Sequence, residues 1–373
     1  MKLLMTADTL GGVWTYAVEL AAALQPHGVQ VGLATMGAAL SDGQRARIAT
    51  LENVTLFESR HKLEWMPDAW EDVRDAGRWL LEVERQFRPT VVHLNGYAHG
   101  ALAWNAPVLV VGHSCVLSWW EAVKGEPAPP EWDRYRREVR DGLRAADQVV
   151  APSAAMLAAL QRHYGPLPRS RVIHNARGAA LFRPARKEGL IFSAGRLWDE
   201  AKNVAALGRV ASQLAWPVYV AGDDASPDGR GWLPAGVRPL GRLEPPALAG
   251  WLGRAALFAL PARYEPFGLS PLEAALSGCA LVLGDIPSLR EVWGDAAIFV
   301  APDDDDALRR GLNYLARDPA ARHEMATRAA ARARRYAPEL MASSYRAVYG
   351  GLIDQAEPCC DMGVPPVQAM RSF

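Results

Sequence analysis

Residues 263–279 read Arg-Tyr-Glu-Pro-Phe-Gly-Leu-Ser-Pro-Leu-Glu-Ala-Ala-Leu-Ser-Gly-Cys, a loop that turns into a helix. Just upstream, Leu257 to Pro261 is an apolar run of strand length, so the loop leaves the carboxyl end of a strand. Ser270 suits an N-cap and Pro271 the first helical position, where its missing N–H costs nothing. Glu273 falls three residues after that cap and completes a capping box, and Gly278 ends the helix. A strand, a loop and a helix N-terminus in this order make a preformed anion site, because the first amides of a helix have no acceptor of their own. Two carboxylates bracket the site. Glu273 serves either as a cap or as a ligand, whereas Glu265, beside Pro266, Phe267 and Gly268, has no helix or strand to serve.

Glu265 and Glu273, with the intervening Phe-Gly-Leu, resemble the E-x7-E signature of retaining glycosyltransferases with the GT-B fold. The flanking sequence is most similar to glycosyltransferase family 4. The likeness runs on through Leu240 to Leu243, Gly284 to Val292 and Phe299 to Asp304 in the family's usual order, and is looser over the first half of the chain. It implies an α/β protein of two Rossmann-like domains facing across a deep cleft, with the C-terminal helix crossing back to the first domain. The expected organisation is an acceptor domain over 1–178 and a nucleotide-sugar donor domain over 179–340. A crossover helix at 341–356 and a poorly ordered, proline-broken tail at 357–373 follow.

Composition agrees with two cores. The chain has 373 residues, half of them hydrophobic, and exceeds the usual size of a single core. Lysine plus arginine equals aspartate plus glutamate at 41 each, so net charge gives no ground for a nucleic-acid partner. Cys115, Cys279, Cys359 and Cys360 show neither metal spacing nor a disulfide framework. Met1-Lys2 runs straight into a short strand, too brief a start for a signal peptide, and no stretch of about twenty apolar residues exists. A reduced, cytoplasmic setting is the expectation. Peripheral membrane contact stays open, since an interfacial helix needs no such stretch.

In chain order, Lys2 to Ala7 reads as a buried strand, then Asp8-Thr9-Leu10-Gly11-Gly12 as a glycine turn, then Val13 to Leu24 as an amphipathic helix. Further β-branched runs at Val29 to Thr35, Val91 to Asn95, Val108 to Gly112 and Gln148 to Pro152 alternate with helical stretches, which gives a parallel sheet covered on both faces. No G-x-G-x-x-G is present, so a dinucleotide fingerprint is not met. Gly11 and Gly12 suffice for a tight turn; the resemblance implies that they also face the donor diphosphate. His93 and His113 each end a strand, where open α/β sheets place their ligand crevice. The resemblance makes His113 the active-site histidine beside the transferred sugar and leaves His93 a packing role. Two aromatic segments, Phe57 to Met66 and Trp119-Trp120, suit an acceptor because indoles stack on sugars and apolar groups; a local packing cluster is the other reading.

The segment His174-Asn175-Ala176-Arg177-Gly178 departs from the family's usual linker, and the periodicity breaks over residues 176–188. Arg196, just past the strand Leu190 to Ala194, and Lys202, opening a helix expected to reach about Leu214, are cations at a helix start, where the dipole disfavours them unless an anion binds. The resemblance implies that they neutralise the donor diphosphate together with Phe267, Gly268, Leu269 and Ser270. It further implies that Glu273 binds the ribose and Glu265 the sugar hydroxyls, with no divalent metal and no cofactor beyond the donor. By family frequency the resemblance favours UDP as the donor nucleotide, and it leaves the acceptor, whether a sugar, a lipid or a small molecule, unidentified. Glu265→Ala and Lys202→Ala are each expected to cut transfer by orders of magnitude with unfolding nearly unchanged. A nucleotide-sugar epimerase, or a non-catalytic nucleotide-sugar binding protein, is the alternative.

Overall fold

The computed structural model describes residues 1–223 and 233–356; Asp224, Cys359, Cys360 and the expected tail at 357–373 lie outside the described residues. Seven parallel strands build the first sheet: β1 (Lys2–Asp8), β2 (Gln30–Met36), β3 (Val54–Glu58), β4 (Val91–Leu94), β5 (Val108–Val111), β6 (Gln148–Ala151) and β7 (Ser170–Val172). Their spatial order is β3-β2-β1-β4-β5-β6-β7. The second sheet is also parallel, with β8 (Glu188–Ala194), β9 (Val218–Ala221), β10 (Arg238–Pro239), β11 (Ala255–Leu260), β12 (Ala280–Gly284) and β13 (Ile298–Val300) in the order β10-β9-β8-β11-β12-β13. Leu3, Leu4 and Met5 of β1, and all six residues of β11, are buried, as strands covered on both faces require.

The helices of the first half are α1 (Gly12–Leu24), α2 (Asp42–Ala49), α3 (Trp70–Phe87), α4 (Val116–Lys124), α5 (Asp133–Ala145) and α6 (Ala154–Tyr164). Those of the second are α7 (Val204–Val210), α8 (Pro245–Arg254), α9 (Leu269–Leu276), α10 (Pro287–Trp293), α11 (Asp305–Arg317) and α12 (Pro319–Ala333). A last helix, α13 (Pro338–Ala356), crosses back. It buries Met341, Tyr345, Val348, Tyr349 and Leu352, spaced by three and four residues, in one core with Tyr16 and Leu20 of α1. Each such side chain removed from water stabilises by about 1.5–3 kcal/mol, enough to hold the C-terminal helix on the first domain.

Several elements differ from the sequence reading. β3 takes in Phe57 and Glu58, which had read as the start of an aromatic loop, because Phe57 packs beside Phe87 with ring centroids 5.9 Å apart. Trp119 and Trp120 belong to α4, which Cys115 caps through its sulfur. The helix expected from Lys202 to about Leu214 is broken instead. Asn203 stands at φ 53°, after a 3-10 turn at Glu200–Lys202, and α7 covers only Val204–Val210. The reason is local: the Asn203 amide donates to the carbonyls of Pro261 and Pro302, at 2.9 and 2.7 Å, and its Oδ1 accepts from Arg263. Asparagine tolerates the left-handed region better than most residues.

Candidate active site

Each sheet reverses its strand order at one place, between β1 and β4 in the first and between β8 and β11 in the second. Ligands of open α/β sheets sit outside the carboxyl ends of the strands at such a switch point. The glycine turn follows β1, Arg196 follows β8, and the Glu265 loop follows β11. His113 lies two residues past β5, which neighbours β4. The two switch points face each other. A Cβ on Gly12 would stand 3.6 Å from the Leu269 side chain, so the first residue of α1 meets the first residue of α9 across the cleft. Gly11, at φ 83°, caps α1, and neither helix has an acidic residue in its first turn. Two helix N-termini therefore bring their free amides and positive dipole ends to one place.

The cations join them already partnered. Lys202 Nζ donates to Glu265 Oε2 at 2.6 Å, with both side chains 14% exposed. Arg196 donates to Asp199 Oδ2 at 2.8 Å and stays largely open to solvent. Burial pushes the Asp199 carboxyl up, but Arg196, Lys202 and hydrogen bonds from Trp119 and Ala201 outweigh it and hold the group below its usual range. Given the Lys202–Glu265 pair, each alanine variant is expected to lower stability as well as transfer, because each strands a mostly buried charge.

The cap assignment also needs correction. Gly268, at φ 95°, is the N-cap of α9, so the helix starts at Leu269, Ser270 lies inside it and no side chain caps it. Glu273 consequently makes no capping box. Its Oε1 accepts instead from Arg177 Nε at 2.7 Å. Phe267 is buried in the core, its ring edge-on to Tyr336 at 5.3 Å, so only its backbone is left for a donor.

His113 packs edge-on against Tyr16 at 4.4 Å, and its Nε2 lies 2.8 Å from Asn95 Oδ1. Asn95 donates its amide nitrogen to the Thr6 carbonyl at 2.6 Å, which orients Oδ1 as an acceptor. His113 therefore carries its proton on Nε2. Burial lowers its pKa to about 3, so the ring is neutral at physiological pH and suits contact with a sugar rather than proton delivery. His93 is fully buried and extends the network, with Nδ1 2.7 Å from the Tyr349 hydroxyl of α13.

One acid in the cleft had no role in the sequence reading. Asp8, at the carboxyl end of β1 immediately before the glycine turn, accepts from the Leu10 amide at 3.0 Å. Burial raises its pKa to about 7, against the lowering influences of that hydrogen bond and of Arg196 across the cleft. Its position at a switch point was the available signal. A bound anion would raise this pKa further, so protonation favours anion binding, and affinity weakens as pH rises through about 7. Nucleotide-sugar affinity measured by calorimetry is expected to fall on the order of fivefold between about pH 6 and about pH 8, and Asp8→Asn to flatten the profile. An unchanged slope in Asp8→Asn would remove the assignment.

Contacts between the halves surround this site. Trp119 Nε1 donates to Asp199 Oδ1 at 3.0 Å and Lys124 pairs with Glu200 at 2.7 Å. The Ser153 hydroxyl donates to the Pro266 carbonyl at 2.6 Å, and the Glu291 carboxylate accepts both Ala154 and Ala155 amides at the start of α6. Trp119 thus ties α4 of the first half to Asp199 of the second.

Two parallel sheets with opposed switch points, joined by a crossing C-terminal helix, define the GT-B class. The family model for Glycosyltransferase Family 4 matches residues 10–177, and that for Glycosyl transferases group 1 matches residues 188–318. The chain belongs to glycosyltransferase family 4. It is 30% identical over 272 residues to a glycogen synthase of Mycobacterium tuberculosis, covering 65% of this chain and 63% of that protein. It is 27% identical to the D-inositol 3-phosphate glycosyltransferase of Streptomyces scabiei, over 66% of this chain and 63% of that one. The chain thus spans less than two thirds of the length of these relatives. Among solved structures, the sucrose-phosphate synthase of Thermosynechococcus elongatus superposes with a TM-score of 0.78 at 17% identity, over 95% of this chain and 100% of that one. The HepE protein of Anabaena in complex with UDP-glucose superposes at 0.74 and 17% identity, over 94% and 100%. At these identities the likeness is one of fold. No helix of the described residues is long and apolar enough to cross a membrane.

Proposed function

We propose that this protein moves a hexose from a nucleotide-diphosphate sugar, with UDP favoured, to an acceptor held by loops of the first domain. The observation that carries the reading is the meeting of two helix N-termini with Lys202 and Arg196 at opposed switch points, a site built for a diphosphate. In the reaction the bond from the sugar's anomeric carbon to the phosphate oxygen breaks and a bond to the acceptor oxygen forms. The acceptor's proton passes to the departing phosphate, on the face the leaving group vacates, so configuration is retained. The growing phosphate charge is met by fixed cations and amides, the largest electrostatic lever such a cleft offers. Glu265, paired through Oε2, accepts weakly from its own Phe267 amide through Oε1, and a sugar hydroxyl competes for that oxygen. Neutral His113 contacts the sugar and assists its positioning.

Incubation with UDP-, GDP- and ADP-sugars is expected to give slow donor hydrolysis with one of them, and chelation of divalent cations to leave the rate unchanged. Tight binding without any hydrolysis or transfer would favour a non-catalytic binder. Complete loss on chelation, restored by magnesium or manganese, would overturn the metal-independent site.

A further inference from the structure

A cluster of two carboxylates and one guanidinium lies where the linker passes between the domains. Arg177, five residues past β7, donates from Nε to Glu273 Oε1 at 2.7 Å and from a terminal nitrogen to Glu19 Oε2 at 2.6 Å. Glu19 Oε1 accepts the Gly178 amide at 2.8 Å. The guanidinium lies 5.0 Å from the centre of the Phe182 ring, and the Arg177 amide is tied to the Tyr336 carbonyl. All three charged side chains are at most 16% exposed. They come from three places: Glu19 from α1 of the first domain, Arg177 from the linker and Glu273 from α9 of the second. Two acids against one base leave the cluster with a net negative charge, and only one oxygen of Glu273 is engaged among the described residues.

Structural need explains this incompletely. A buried ion pair is rarely worth more than apolar packing of the same volume, whereas it does fix geometry. The planar fork of arginine reaches both carboxylates at once, which a lysine cannot do. We propose that Arg177 is a positioning residue for the nucleotide. By holding Glu273 through Oε1 it presents Oε2 to the ribose hydroxyls, and by gripping Glu19 it fixes that geometry only while the two domains are together. The proposal rests on the reading of Glu273 as the ribose ligand.

The test uses nucleoside diphosphates alone. UDP, GDP and ADP, each beside its 2′,3′-dideoxy form, are titrated by calorimetry into full-length wild type, Arg177→Met, Arg177→Lys and Glu273→Gln. Wild type is expected to prefer the ribose form of its nucleotide by about tenfold or more, the worth of hydrogen bonds to a charged acceptor. Arg177→Met should lose that preference while binding the dideoxy form within about threefold of wild type, and Arg177→Lys should restore part of it. A purely structural arginine would weaken both forms alike, and that result overturns the proposal, as does a preference kept in Arg177→Met. If Glu273→Gln loses the preference while Arg177→Met keeps it, the positioning role alone falls. If Glu273→Gln keeps it, the ribose reading falls and the proposal with it. Should Arg177→Met fail to fold, Arg177→Lys decides: a preference equal to wild type's overturns the proposal, and a reduced one with dideoxy binding intact supports it.

Discussion

Lys202→Ala is expected to lower the turnover number of sugar transfer by about 10²–10³-fold, the usual loss on removing one preorganised group from a developing anion. Lys202 is 14% exposed, so its charge acts with little screening on whatever occupies the cleft. Arg196 is far more open, 45% exposed, and its removal should cost only about tenfold. Glu265→Ala should resemble Lys202→Ala in rate, because it frees the lysine but removes the acceptor for the sugar. Stability separates pairing from chemistry. Each single variant strands one charge in a mostly buried place and should lower stability by about 1–3 kcal/mol, somewhat under the cost of breaking a fully buried pair. The double variant strands neither, so it should regain most of the melting temperature and none of the activity. Near-normal turnover in Lys202→Ala would remove the diphosphate site from this part of the cleft.

Features carried by short-range chemistry were legible in the sequence. The switch from β-branched runs to helical periodicity placed most strands within a residue or two, and the loop after β11 could be seen to end in a helix tip. Lys202 and Glu265 stood out because a cation at a helix start and an acid in a loop have no partner nearby in the chain, and Arg196 because it follows the end of a strand; that Asp199, three residues on, pairs with Arg196 was not read. What stayed hidden depends on long-range pairing or on a backbone angle. Arg177 and Glu273 are 96 residues apart, Trp119 and Asp199 80 apart, and nothing local announces that they meet. The N-cap of α9 moved from Ser270 to Gly268 because the chain turns through φ 95° there, and a capping pattern is silent about which of two candidates takes that angle. Edge strands β3 and β7 were missed because short strands with one neighbour carry little apolar pattern.

Gly222→Ala should be among the most damaging single-methyl changes in the second domain. Gly222 stands at φ 142° just past β9, where an L side chain is strained before any neighbour is considered. An added Cβ would lie 1.7 Å from the Gly195 carbonyl oxygen and 2.8 Å from its carbon, so backbone must move. Strain and overpacking together should cost about 4 kcal/mol, or roughly 10 °C in melting temperature for a domain of this size. The damage does not stay local. Gly195 precedes Arg196, and the Leu197 amide is tied to the Asp223 carbonyl at 2.9 Å, so pushing the two turns apart swings the guanidinium away from the proposed diphosphate site. Donor affinity should fall about tenfold in protein that still folds. Gly241 is the control: its carbonyl accepts the Gly222 amide and its φ is 65°, but an added Cβ would meet nothing within 4 Å. Gly241→Ala should therefore cost only the 1–2 kcal/mol of a left-handed residue, about a few degrees, with donor affinity unchanged. Equal melting temperatures for the two variants would show that the β8 and β9 turns can part freely, and Arg196 would then owe its place to something other than this contact.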